Sequence, residues 1–346
     1  MIVVNMENEE TNKYLLPISV LISGVLIAGS FFLSADSRGK EVQSLRAPDI
    51  NEEVVLPSDG VALPVVWGNL GAKLVSSGVI DADKFKAIYD QRGAFTEEYK
   101  NLLLGQNNEK LKMTKDNAGY LLNLFWALGL ANKNPILDSG EMADPRYGGA
   151  GNFASTGGWT IAKGNPMDPV RDGEGSQRPS VSNGMGHYSR HMFFTLTGDQ
   201  QALVDKVSRG IYRPCCGNST HFPDCNHGMA MLGLLELMAS QNVSEQDMWK
   251  AALAVNSYWF PDTYLTIASY MKAKGIEWND VSPQEILGIN YSSAQGYAKI
   301  ALQVTAPSSG SQSGSGCGID AGESATPQRQ PASPTLQRGE QSGCSI

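Results

Sequence analysis

The sequence is short of cysteine, short of positive charge and nearly free of histidine. Five cysteines in 346 residues are too few for disulfides to replace a hydrophobic core. Lys and Arg total 27 against 35 Asp and Glu, a net charge of -8 with a pI near 5.1. That balance excludes nucleic acid as a partner, because phosphate binding needs a basic surface. No run of Lys or Arg marks a polybasic membrane patch. Nucleotide motifs are missing too: there is no GxxxxGK[ST], and Gly149, Gly151 and Ala154 match a loose GxGxxA with no strand before it. The lack of CxxCH excludes a c-type haem, and three clustered cysteines fall short of the four an iron–sulfur cluster takes.

One long apolar run is present. Tyr14 to Ala35 carries no charge and as a helix spans roughly 30 Å, the thickness of a bilayer's hydrocarbon core. It is expected to be a single transmembrane anchor. A cleaved signal peptide fits less well, since the run is long and the preceding residues (Glu7, Glu9, Glu10, Lys13) are acidic. Arg38, Lys40 and Arg46 after the run favour a cytoplasmic domain by the positive-inside rule, but large domains translocate despite nearby charge. The leader resembles the anchors that precede extracytoplasmic thioredoxin-like domains in some bacteria. That resemblance implies an extracytoplasmic domain at the cell membrane, where a protein of the envelope is a further candidate partner.

Beyond the anchor, residues 36–60 read as a linker and 61–305 as one domain. Its signals are helical. Asp81 caps a helix through Arg92, stopped by Gly93, and Thr96 caps one through Leu104, stopped by Gly105. Thr114 opens a longer amphipathic helix through Leu128. Helices are also expected over Met185–Leu196, after Thr197 with Gln200 as a capping box, over HGMAMLGLLELMAS as a buried helix, after Ser244, after Pro261, and from Ser292 to Val304. Residues 139–183, dense in Gly, Pro, Asp and Asn, form a long loop expected to pack Phe153 and Trp159 on the core. From Ala306 onward the chain is Ser, Gly, Pro and Gln and reads as a disordered tail holding Cys317 and Cys344. The expected fold is all-α: an irregular multi-helix domain with a long Gly/Pro-rich loop, after one transmembrane helix and before that tail.

The chemistry concentrates in one window. All four histidines and three of the five cysteines fall between His187 and His227. His187 and His191 are four apart, so on a helix they share a face. The residues between them are Tyr-Ser-Arg, without the glutamate of an HExxH metalloprotease. Cys215-Cys216, His221, Cys225 and His227 follow. Cys225 and His227 sit where the buried helix starts, with Asp224 or Asn226 as its cap, and a helix N-terminus favours thiolate. Arg190 and Arg213 lower thiol pKa further if they point inward. Met185, Met192, Met229 and Met231 flank the window; soft sulfur with imidazole suits copper, Cys with His equally suits zinc, and core filling explains methionines as well.

The expectation is a transition-metal site, copper or zinc, with Cys215, Cys216, Cys225 and His227 as ligands and His187, His191 and His221 as further or alternate ones. Two alternatives stand beside it. A thiol–disulfide oxidoreductase would use Cys215, Cys216 and Cys225, although the sequence has no CxxC. A structural or interaction protein would use a disulfide to staple the loop, leaving one odd thiol.

Overall fold

The computed structural model describes residues 45–46, 50–163, 170–171, 177–178 and 183–305. The expected anchor (14–35) and tail (306–346), with Cys317 and Cys344, lie outside the described residues. The chain divides into two units, Met1–Leu45 and Arg46–Ile346, and the helical domain lies in the second.

The second unit is mostly helical, and the all-α expectation needs one correction. Strand β1 (Val61–Gly68) pairs antiparallel with β2 (Asn108–Met113). Leu63, Val65 and Trp67 alternate inward along β1 and are buried, the period of a half-buried strand. The register shifts between Ala62 and Val66, where Pro64 has no N–H to give the ladder. The Gln241 side chain takes the place of a further strand: its Oε1 accepts from the Val66 N–H and its Nε2 donates to the Val66 carbonyl, both at 2.8 Å. Between the strands lie α1 (Leu70–Ser76), α2 (Ala82–Asp90) and α3 (Glu97–Leu104). Asp81 and Thr96 cap α2 and α3 through their side chains, as their sequence positions lead one to expect. The packed chain begins earlier than residue 61, because Val55 and Leu56 are already buried in the core.

Helix α4 (Ala118–Ala131) is buried on almost every side. After the glycine-rich stretch come α5 (Gly198–Gly210), α6 (Asn226–Ser240), α7 (Glu245–Trp259), α8 (Pro261–Ala273) and α9 (Ala294–Ala301). Thr197 and Gln200 form the expected capping box of α5. Phe153 and Trp159 of the long loop are buried; the Trp159 indole donates to the Val79 carbonyl at 2.8 Å and packs edge-on against Trp126.

The centre of the core is the crossing of α4 and α6. A Cβ on Gly129 would stand 2.1 Å from the Met229 carbonyl oxygen, and one on Gly233 would stand 2.4 Å from that of Phe125. No side chain other than hydrogen fits, so the two backbones touch. Alanine at position 233 should cost about 1–3 kcal/mol through forced separation of the helices. Denaturant titration of Gly233→Ala reads this as a lower midpoint, and an unchanged midpoint would refute the backbone contact.

Residues 187–191 are not helical, which corrects the expected helix over Met185–Leu196. The segment gives its N–H groups to the end of α4 instead. Ser189 donates to the Leu130 carbonyl (2.8 Å), while Arg190 and His191 donate to that of Ala131 (3.1 and 2.8 Å). It thus satisfies carbonyls that a helix end leaves open, with Ser189 at φ +53°. Below it Glu236 of α6 is fully buried and accepts from the side-chain amides of Asn132 and Asn134. Burial pushes its carboxyl well above the usual range, the two amides pulling the other way. A carboxyl that binds its proton more tightly when folded makes stability fall as pH rises above its unfolded value of about 4.3. Glu236→Gln should therefore flatten the pH profile of unfolding and gain on the wild type as pH rises; parallel profiles would contradict it.

Candidate metal centre

Three sulfurs meet at the N-terminal end of α6. Cys215 and Cys216 lie on the turn after α5, and Cys225 is the residue that caps α6, in extended backbone. The cap is thus neither Asp224 nor Asn226. The Cys215 and Cys225 Sγ atoms are 3.6 Å apart, and all three sulfurs lie within 4.8 Å of one another. All three are free thiols, Cys225 buried and the other two half-buried.

The loop is held from several sides. Thr220 N–H donates to the Ile211 carbonyl (2.8 Å), His221 N–H to that of Ser208 (3.1 Å), and Ala294 N–H, at the start of α9, to that of Cys216 (2.9 Å). The His221 ring is bound to Asp205 of α5, Nε2 to Oδ1 at 2.8 Å. Asp205 in turn accepts two hydrogen bonds from Arg209, which with His221 hold its carboxyl below the ordinary value.

Arg213 lies beside the sulfurs. Its side chain is completely buried, and Nη2 donates to Asp224 Oδ1 at 2.7 Å. Nε and Nη1 have no hydrogen-bond partner. Burial works against the guanidinium charge; the sulfurs of Cys225 and Cys216, then Asp224 and Cys215, outweigh it and keep the group protonated. Room for it comes from Gly228, where a Cβ would stand 2.6 Å from Arg213 Cζ. A cation against the first turn of a helix opposes the helix dipole, so its stable partners there are anions.

The three thiols titrate as one group. Hydrogen bonds from Cys215 and Cys216 hold the Cys225 thiol well below the usual range, with Arg213 and His227 adding to the effect. Hydrogen bonding within the cluster pushes Cys215 well up. Cys216 is pushed up to about 11: its bond with Cys215 pulls down, and its bond with Cys225 and burial prevail. Within the group, negative charge is favoured at Cys225 over Cys215 and Cys216. Burial also raises the Asp224 carboxyl against the pull of Arg213.

The histidines are distributed differently from the expectation. His227 follows Cys225 on the first turn of α6, its ring against Phe260 (centroids 4.5 Å apart) and Trp259 (5.7 Å), outside the three-sulfur group. His221 is taken by Asp205. His187 and His191 pair with each other, Nδ1 to Nε2 at 2.9 Å, over the far half of α6; Glu236 in that region is eleven residues from Cys225, roughly 16 Å along the helix. Burial, with His191 and Arg190, holds His187 at about 4, and burial with Arg190 lowers His191. Arg190 is exposed beside this pair and not at the thiols. Met229 and Met231 fill the core, and Met192 is 75 % exposed.

Sequence reasoning named the three cysteines and Arg213 but missed Asp224 as the arginine's partner, Asn218 as the second group holding that carboxylate (2.7 Å), and Gly228 as its cradle. The glycine directly after CNH was the one readable sign. No family model, curated protein or solved structure matches the chain.

Ultraviolet titration of thiolate absorbance should show one step below the ordinary thiol range and the remainder above it. Arg213→Met should move the low step upward. A single step near the ordinary thiol value in the wild type would contradict the shared-thiolate picture.

Proposed function

We propose that this chain is a membrane-tethered protein whose helical domain binds one transition-metal ion through Cys215, Cys216 and Cys225. The observation that carries the reading is the convergence of three free sulfurs. Two thiolates each about 2.3 Å from a tetrahedral ion stand about 3.8 Å apart, and Cys215 and Cys225 are at 3.6 Å. Thiolate ligands suit cuprous copper and zinc. The three sulfurs fit either ion. Arg213 offsets part of the negative charge that three thiolates bring.

The tether is the uncharged run 14–35, and the domain faces out of the cytoplasm. Sequence alone supports this part; no helix among the described residues is long and apolar enough to cross a membrane. A second reading has one observation in its favour. At 3.6 Å, Cys215 and Cys225 are close enough to join as a disulfide after a small rotation, leaving Cys216 as the free thiol of a thiol–disulfide enzyme.

Elemental mass spectrometry on the full chain, purified without an affinity metal, separates the two when each cysteine is mapped by alkylation on the same sample. The expected result is about one copper or zinc ion per chain, lost in Cys225→Ser. Absence of metal together with a Cys215–Cys225 disulfide would overturn the metal reading and favour the redox one.

A further inference from the structure

Away from the sulfur cluster, His187 and His191 put two ring nitrogens side by side. His187 Nδ1 and His191 Nε2 are 2.9 Å apart. Among the described residues no other group hydrogen-bonds to either ring, and the outer nitrogens, His187 Nε2 and His191 Nδ1, are open to solvent. Two neutral imidazoles carry two protons between them. One proton lies in the gap, so the gap nitrogen of the accepting ring and the outer nitrogen of the donating ring are both bare.

A fixed backbone presents these rings. The His191 N–H donates to the Ala131 carbonyl at 2.8 Å, and the His191 carbonyl accepts from the Lys133 N–H at 2.7 Å. The His187 N–H donates to the Gly184 carbonyl at 3.0 Å. The His191 ring also stacks on Phe193, centroids 5.5 Å apart, and His187 lies against Gly78, where a Cβ would stand 3.6 Å from its Cε1. Much of the ordering that a chelate requires is therefore complete before a ligand arrives.

The spacing decides the chemistry. Two imidazole nitrogens each about 2.0 Å from one ion stand about 2.8 Å apart at a right angle and about 3.3 Å apart at the tetrahedral angle. The observed 2.9 Å lies near the right-angle value, the angle between neighbouring positions of a square-planar or tetragonal ion. We infer that His187 Nδ1 and His191 Nε2 form a second metal site, a chelate for a divalent ion of that geometry, nickel(II) or cupric copper, with water in the remaining positions. Binding needs no net loss of protons. The donating ring moves its proton from the gap to its own outer nitrogen through solvent, both rings turn so that their gap lone pairs meet at one point, and the ion takes those lone pairs. Arg190 lies beside the pair and repels a cation, but it is exposed, and solvent and salt screen its charge. The site is independent of any ion at the sulfurs.

Nickel(II) is the probe, because thiols do not reduce it as they reduce cupric copper. The full chain has four histidines, so nitrogen-15 labelling of histidine reports each ring separately. Nickel should perturb the His187 and His191 rings together, saturably and with one midpoint. Loss of a ligand costs no less than loss of a ligand's own hydrogen-bond partner, so His187→Gln should raise the midpoint at His191 at least about tenfold. His191→Gln should do the same at His187, and unchanged His221 and His227 resonances in either variant show that its fold is kept. The same midpoint at the surviving ring in a folded variant would overturn the chelate. No saturable change at His187 and His191 in the wild type would overturn the site, and a response confined to His227, next to the thiols, would do so while leaving the cysteine reading intact.

Discussion

The contact between α4 and α6 is the constraint on which the rest of the molecule depends. Gly129 and Gly233 let two nearly all-apolar helices approach until backbone meets backbone, and this fixes the axis of α6. Everything of chemical interest is arranged along that axis. Cys225 and His227 stand on its first turn, Gly228 leaves the space that Arg213 fills, and Glu236 sits near its other end under the segment that closes α4. A shift of α6 by a fraction of a turn would separate the sulfur of Cys225 from the two on the preceding loop. Rigid packing at the crossing therefore fixes the helix end to which the preceding loop brings Cys215 and Cys216.

At its two ends α6 handles buried charge in opposite ways. At the N-terminus a guanidinium is buried and kept charged, because sulfurs and a carboxylate surround it. Toward the C-terminus a carboxyl is buried against two amides, and burial pushes it toward the neutral form. The first arrangement builds an electrostatic field around the thiols; the second ties Asn132 and Asn134 to the core and, through them, the His187–His191 segment. The histidine pair belongs to that second arrangement. Their stacked rings mark a loop folded onto a helix end.

Much of the fold was legible because local rules agree with the final packing. Asp81, Thr96, Thr197 and Ser244 all cap the helices their positions indicate, and the apolar run after Cys225 is buried as its composition demands. The strand β1 also carried its signal in the alternation of Leu63, Val65 and Trp67, but β2 reads as Asn-Glu-Lys-Leu-Lys-Met, where only Leu111 and Met113 face inward. Its pairing is a tertiary fact with almost no local trace. The same limit applies to His187 and His191. Their spacing of four fits a helix, yet the backbone donors of the segment go to Leu130 and Ala131, which no local pattern announces. In the site, crowding in sequence pointed to three cysteines that the fold brings together, whereas His187, His191 and His221 go to other partners, since loop and helix carry neighbours in sequence apart.

Arg213 bears on the choice between metal and disulfide. Oxidising Cys215 with Cys225 would leave the arginine its salt bridge with Asp224, so the charge balance of the pair alone does not decide. The charge on the sulfurs beside it does. Nε and Nη1 are buried with no hydrogen-bond acceptor, and the sulfurs of Cys225 and Cys216 act on the guanidinium charge more strongly than Asp224 does. A disulfide removes the negative sulfur beside the guanidinium and leaves Asp224 alone to offset a fully buried cation, which is costly in a low-dielectric interior. A metal thiolate keeps negative charge on the sulfurs and keeps the arginine compensated. Burial of an arginine in this place is thus better matched to a cluster that stays anionic, and that is the electrostatic reason for preferring the metal-bound form.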